Sequence, residues 1–107
     1  MKIRFLGAHN EESRSTKLSS VLIDDVLAVD AGSLTCELTF EEQGKIQAIL
    51  VSHSHYDHVR AIPAFGFSNT QRITRVFGTR QNLEIITSHL LDKIIYPKTR
   101  IKENFLN

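Results

Sequence analysis

Ala48-Ile49-Leu50-Val51-Ser52-His53-Ser54-His55-Tyr56-Asp57-His58 is an apolar run followed at once by three of the chain's five histidines and a carboxylate. Neutral imidazoles and carboxylates are the usual ligands of zinc and of neighbouring divalent metals. Five histidines scattered at random over 107 positions would very rarely put three into one such window. The cluster reads as a metal site, and the strand before it is a stiff platform for the ligands. A structural zinc site fits less well, because such sites favour thiolates and the chain has one cysteine.

The spacing narrows the geometry. On a continuing strand, residues 53, 55 and 57 would share a face and 58 would point away. On a helix, 53 would pair with 57 and 55 with 58. A strand that breaks into a loop and then a helix does something else. It can aim His53 and His55 at one point and Asp57 and His58 at a second point nearby. Two metal ions roughly 3.5–4 Å apart form the clamp used for hydrolytic displacements, polarising the substrate and lowering the pKa of bound water towards ~7.

The H-x-H-x-D-H pattern of His53 to His58 resembles the metallo-β-lactamase superfamily of metal-dependent hydrolases. Met1 to Gly7 looks like the opening strand of that family and its glycine turn. Leu18 to Asp30, running into Val29-Asp30-Ala31-Gly32, looks like the second and third strands with their terminal D-x-G. Ile49 to His58 looks like the strand feeding the motif. Val59-Arg60-Ala61 departs from the many members that have a glycine shortly after the last motif histidine. The fold this implies is α/β, the N-terminal half of a four-layer αβ/βα sandwich, with a mixed sheet and flanking helices in a single, incomplete domain over residues 1–107. Ala61-Ile62-Pro63-Ala64-Phe65, and Leu83 to Pro97 closing on Ile94-Ile95-Tyr96-Pro97, are similar to elements of class II cyclic-nucleotide phosphodiesterases. An apolar helix ending before a proline also arises for purely local reasons.

Carried over residue by residue, the resemblance implies that His53 and His55 bind a first metal ion. Asp57 and His58 would bind a second, with Asp57 also orienting the attacking water. The implied cofactors are two divalent ions, zinc foremost, with manganese or iron as alternatives. Asp30, at a strand end, is a candidate to accept a ring N–H and fix a histidine tautomer; a hairpin-end or helix-capping role stands beside it. Gly32 permits the turn, and Tyr56 is a motif spacer whose ring lines the entrance. The implied reaction is attack by metal-activated water on a small-molecule phosphoester. Thioester and lactam hydrolysis use the same four residues and stand behind it. A non-catalytic metal-binding half-domain, serving as a fragment or an interaction module, is the alternative from a different class.

In family members a third histidine for the first ion, a bridging aspartate and a last histidine lie well downstream of the motif. Here only His89 follows, with Glu84, Asp92 and Glu103 as the acidic residues. His89 reads as a surface residue of an amphipathic helix over Gln81 to Ile95. The site as written is incomplete. Three accounts stay open: a piece of a longer hydrolase, a truncated reading frame that folds as a half, or a site completed by a second chain. An isolated half would expose an apolar face, so association with itself or with a complementary C-terminal half is expected.

The bulk properties exclude more than they assign. Net charge is +1, from 13 basic and 12 acidic side chains, which gives no electrostatic case for nucleic acid. Arg72, Arg75, Arg80, Lys93, Lys98, Arg100 and Lys102 form a late basic excess that reads as a solvated face, with attraction of an anionic substrate as the second reading. His9, Arg14, Ser15 and Thr16 read as parts of an exposed polar loop. The lone Cys36 excludes an internal disulfide, suits a reducing compartment and is expected buried. Met1 to Leu6 is short and alternating, so no leader is expected, and no apolar run reaches membrane-spanning length; the expected location is the cytoplasm.

The expected elements are strands at Lys2 to Leu6, Leu18 to Ile23, Val26 to Val29, Ile46 to Val51 and Ile73 to Phe77. Asp24-Asp25 is expected to close a tight hairpin. One helix is expected over Ser33 to Gln43, capped by Ser33 or Thr35 and ended by Gly44. A helical turn is expected over Val59 to Phe65 and a loop over Gly66 to Gln71.

Overall fold

The computed structural model describes residues 1–68, 72–96 and 98–106. Six strands lie side by side in sequence order: β1 (Ile3–Gly7), β2 (Ser20–Ile23), β3 (Leu27–Val29), β4 (Ala48–Leu50), β5 (Thr74–Gly78) and β6 (Ile101–Phe105). The first three pair antiparallel and the rest are parallel, which makes the sheet mixed, as expected. Asp24 and Asp25 close the β2–β3 hairpin, both at positive φ (51° and 62°), and the Val26 N–H donates to the Ile23 carbonyl at 3.1 Å. Two left-handed central residues define a type I′ turn, whose twist matches that of the flanking strands. Aspartate is among the few residues that enter this region at small cost.

Parallel neighbours need crossovers, and short helices supply them. The first crossover carries α1 (Leu34–Glu37) and α2 (Phe40–Gly44), the second α3 (Tyr56–Val59) and α4 (Ile62–Ser68), and the third α5 (Arg80–His89). Leu6, Leu22, Ala28, Ile49 and Val76 point from the sheet into one core with Leu34, Ile46, Val59, Ile62, Phe65 and Leu83. Full burial of each large aliphatic or aromatic side chain contributes ~1.5–3 kcal/mol. On the opposite face Phe5, Val21, Ile23, Leu27, Val29, Leu50 and Phe77 share register across five strands, and none of them is buried.

Several expectations need correction. The single helix over Ser33 to Gln43 is two, because Leu38 turns extended (ψ 145°) and packs into the core, 6 % exposed. Thr39 then restarts the helix with a capping box: its hydroxyl accepts from the Glu42 N–H, and the Glu42 carboxylate accepts from the Thr39 N–H. Ser33 holds the N-cap position of α1 without a side-chain bond, and Thr35 lies inside the helix. Cys36, expected buried, is exposed on that short helix. Gly66 belongs to α4, which runs on to Ser68; positions 69–71 of the expected loop lie outside the described residues.

The expected helix to Ile95 stops at His89. Lys93 sits at φ 70° and the Asp92 carboxylate accepts from the Ile94 N–H, a local turn that competes with helix. The likeness of Leu83 to Pro97 to one continuous helix therefore fails, and Pro97 itself lies outside the described residues. β6 was not foreseen. Ile101-Lys102-Glu103-Asn104-Phe105 is too polar to announce a strand, and its pairing with β5 supplies what composition withholds. Among the described residues no helix is long and apolar enough to cross a membrane.

Candidate metal centre

The motif leaves the sheet at the C-terminal end of β4, where a parallel sheet opens its crevice. Val51 is buried and its N–H is still held by the Phe77 carbonyl at 2.7 Å. His55 takes extended geometry (ψ 151°) and α3 begins at Tyr56. The chain thus breaks from strand to loop to helix within the motif, the geometry its spacing anticipates.

Backbone hydrogen bonds stitch this turn to the ends of β2 and β3. The Ala31 N–H donates to the His58 carbonyl at 2.7 Å, Ala61 N–H to the Ala31 carbonyl at 2.9 Å, and Ser19 N–H to the Asp57 carbonyl at 3.1 Å. Gly32 passes so close to the Asp57 carbonyl oxygen that a Cβ there would overlap it. Val59 and Ala61, just after the last motif histidine, are both buried in the core at 1 % exposure. Arg60 points outward and pairs with Glu12 at 3.3 Å, tying the polar loop to the motif turn.

Asp30 is the hub of the site. Its backbone is left-handed (φ 62°), its N–H donates to the Leu50 carbonyl at 2.8 Å, and its carbonyl accepts from the buried Ser20 hydroxyl at 2.9 Å. The side chain is nearly buried and accepts three hydrogen bonds. Oδ1 takes the Ser52 N–H at 2.8 Å, and Oδ2 takes the Ser52 hydroxyl at 2.5 Å and Nδ1 of His58 at 2.9 Å. A carboxylate only accepts, so Nδ1 carries a proton and Nε2 is the nitrogen left to face outward. Asp30, a candidate to face a histidine ring, lies against that of His58. Sequence reasoning misses Ser52 and Ser20, since each bonds Asp30 from a distance along the chain that leaves no local signal.

On its other side, Nε2 of His58 lies 3.3 Å from Oδ2 of Asp57. The imidazole is caught between two acceptors. With its Nδ1 proton given to Asp30, the ring turns the Nε2 lone pair towards Asp57, where a cation between the two would be held by both. Two ligands of one zinc ion, each ~2.0–2.1 Å from it, lie roughly 3.0–3.4 Å apart, so the pair fits a divalent ion in chemistry and in separation. His53 meets His58 edge-on with ring centroids 5.3 Å apart, and His55 rests against His53 at 3.9 Å. All four motif side chains are therefore gathered in one place. Among the described residues, no three His, Cys, Asp or Glu side chains are set out as a finished cage; the closest pair of rings is in mutual contact instead.

Other candidates fall away from the cluster. Nδ1 of His9 accepts from the Lys17 N–H at 3.1 Å in its own loop. Ser13, Ser15 and Thr16 bond among themselves, with Ser13 and Thr16 hydroxyls 2.7 Å apart, and Arg14 is exposed. His89 ends α5, exposed and within reach of the Ser88 hydroxyl and Ile85 carbonyl. Tyr56, the first residue of α3, is exposed.

No protein-family model matches the chain, and no curated protein does. Solved structures do. The metallo-β-lactamase fold protein YhfI from Bacillus subtilis superposes with a TM-score of 0.74 at 22% identity, over 98% of this chain and 45% of its own. The short form of human tRNase Z (ELAC1) gives 0.70 at 17% identity, over 96% and 44%. Zn(2+)-bound PqqB from Methylobacterium extorquens gives 0.64 at 12% identity, over 98% and 49%. The chain spans less than half the length of each. With its mixed sheet, its flanking helices and a histidine motif leaving β4, the chain has the N-terminal half of the metallo-β-lactamase fold.

Proposed function

We propose that the chain carries the ligand-bearing half of a metal-dependent hydrolase acting on phosphodiesters. The observation that carries this reading is His58 held between Asp30 at 2.9 Å and Asp57 at 3.3 Å, with His53 edge-on beside it. Divalent ions bound by His53, His55, Asp57 and His58 would supply Lewis-acid polarisation and an activated water. The chain's own part is orientation. Asp30 keeps the ring proton of His58 on Nδ1, and the stitched backbone of residues 57–61 holds α3 against the sheet. The His53 and His55 rings and Tyr56 are exposed, so the site is open to substrate.

Zinc is the leading ion: the donor set suits it, and PqqB is named as Zn-bound. A phosphodiester is favoured over a thioester or lactam by the apolar-Pro segment Ala61–Phe65, like that of class II cyclic-nucleotide phosphodiesterases, and by a structural neighbour named as a tRNase. Because the chain spans less than half of its neighbours' length, turnover belongs to a site completed by further ligands.

The test is metal content of the purified, dialysed chain by elemental mass spectrometry, followed by hydrolysis of bis(p-nitrophenyl) phosphate. Retained zinc that is lost in Asp57→Asn and His58→Ala supports the reading, as does hydrolysis that chelation stops. Metal retention indifferent to both substitutions would sink it.

A further inference from the structure

Ser52 separates β4 from the first motif histidine and is itself exposed. Its two donors both end on the Asp30 carboxylate, the backbone N–H on Oδ1 and the hydroxyl on Oδ2. Oδ2 is also the oxygen that accepts from Nδ1 of His58. We infer that Ser52 is a positioning residue, which locks the plane of the Asp30 carboxylate and thereby sets the tautomer that His58 offers to a metal ion. The inference rests on the metal-site reading above and adds to it a residue outside the ligand set.

The physical argument has two steps. A carboxylate held by one donor at one oxygen can still swing about its last torsion, which is broad and shallow for aspartate. Donors on both oxygens remove that freedom, and the Ser52 hydroxyl is the one that pins Oδ2 where Nδ1 meets it. The second step concerns the ring. A neutral imidazole left to water favours the proton on Nε2, the nitrogen that here faces Asp57. Pinning Oδ2 against Nδ1 holds the proton on the far side and leaves the Nε2 lone pair free. Partners that orient a ligating histidine in this way typically change metal affinity by ~10–100-fold when removed.

Ser52→Thr and Ser52→Val are nearly the same shape and differ by one hydroxyl. Since Ser52 is exposed, Ser52→Ala opens no cavity and serves as the variant of least disturbance. In the metal-free, 15N-labelled chain, long-range ring correlations read which nitrogen of neutral His58 carries the proton. Backbone amide spectra report that each variant is folded. The expected result is Nδ1–H in the wild type and in Ser52→Thr, with a shift towards Nε2–H in Ser52→Val and Ser52→Ala. Zinc affinity should fall about 10-fold in the latter two, the low end of that range, and recover in Ser52→Thr. Wild-type tautomer and affinity in both hydroxyl-free variants would overturn the inference. A wild-type chain that takes up no zinc would overturn the reading that His53, His55, Asp57 and His58 hold metal on their own, while the tautomer still decides the role of Ser52.

Discussion

Nothing but hydrogen fits between Gly32 and Asp57: a Cβ at residue 32 would overlap the Asp57 carbonyl oxygen and crowd Leu18. Gly32 is not among the residues at positive φ, so its requirement is one of space and not of backbone conformation. Gly32→Ala must push α3 away from the end of β3. Overpacking of this kind costs about 1–3 kcal/mol. Urea unfolding should show that loss, together with weaker zinc binding. Full affinity in a folded Gly32→Ala chain would show that the ligands tolerate displacement of α3.

Asp30 should divide its two simplest substitutions sharply. Asp30→Ala strips the acceptor from three donors and puts a Cβ-bearing residue without side-chain compensation at φ 62°. Each stranded donor costs about 1–3 kcal/mol where it is buried, and the left-handed backbone adds roughly 1–2 kcal/mol. Asp30→Asn tolerates that backbone and keeps one acceptor oxygen. Thermal unfolding should therefore rank wild type above Asn above Ala, and equal destabilisation by the two would show that the carboxylate hub contributes little.

The parts of this fold that the chain announced are those where local chemistry and global packing agree. Asp24-Asp25 between two apolar runs is a hairpin whatever surrounds it, and Asp30 at the end of β3 was already a candidate partner for a ring. The misses are places where packing overrides local pattern. Leu38 belongs to the core, so the chain breaks a helix that the composition of Ser33 to Gln43 would sustain. β6 is a strand only because β5 offers it an edge. Ser52 was invisible because its partner lies 22 residues away, and separation in sequence carries no trace of a hydrogen bond.

Glu42 links α2 to β1 through Arg4, with Nη1 to Oε2 at 2.8 Å. That hydrogen bond, with a second from the Thr39 backbone N–H, lowers the Glu42 carboxyl from 4.5 to about 2. The unfolded chain binds the proton more readily, so the pair's stabilisation is fully present above about 4.5. It is lost as pH falls from there through about 2. Unfolding midpoints followed down this window should decline less steeply in Arg4→Met than in the wild type. Parallel declines would place the acid sensitivity on other carboxylates.

Phe5 is 75% exposed on the edge strand, on the same sheet face as Val21, Leu50 and Phe77. A contiguous uncovered apolar face on a small domain favours association, and the unpaired edge of β1 adds open backbone groups. The isolated chain is expected to self-associate with rising concentration in sedimentation velocity. Phe5→Lys sets a charge at the edge of that face, where an exposed substitution alters stability by only about 0.5 kcal/mol. Association should weaken while the unfolding midpoint stays in place. A wild-type chain that remains monomeric across the series would mean that the twist of the sheet or its flanking charges, Arg75 and Lys102, already keep the face apart from others.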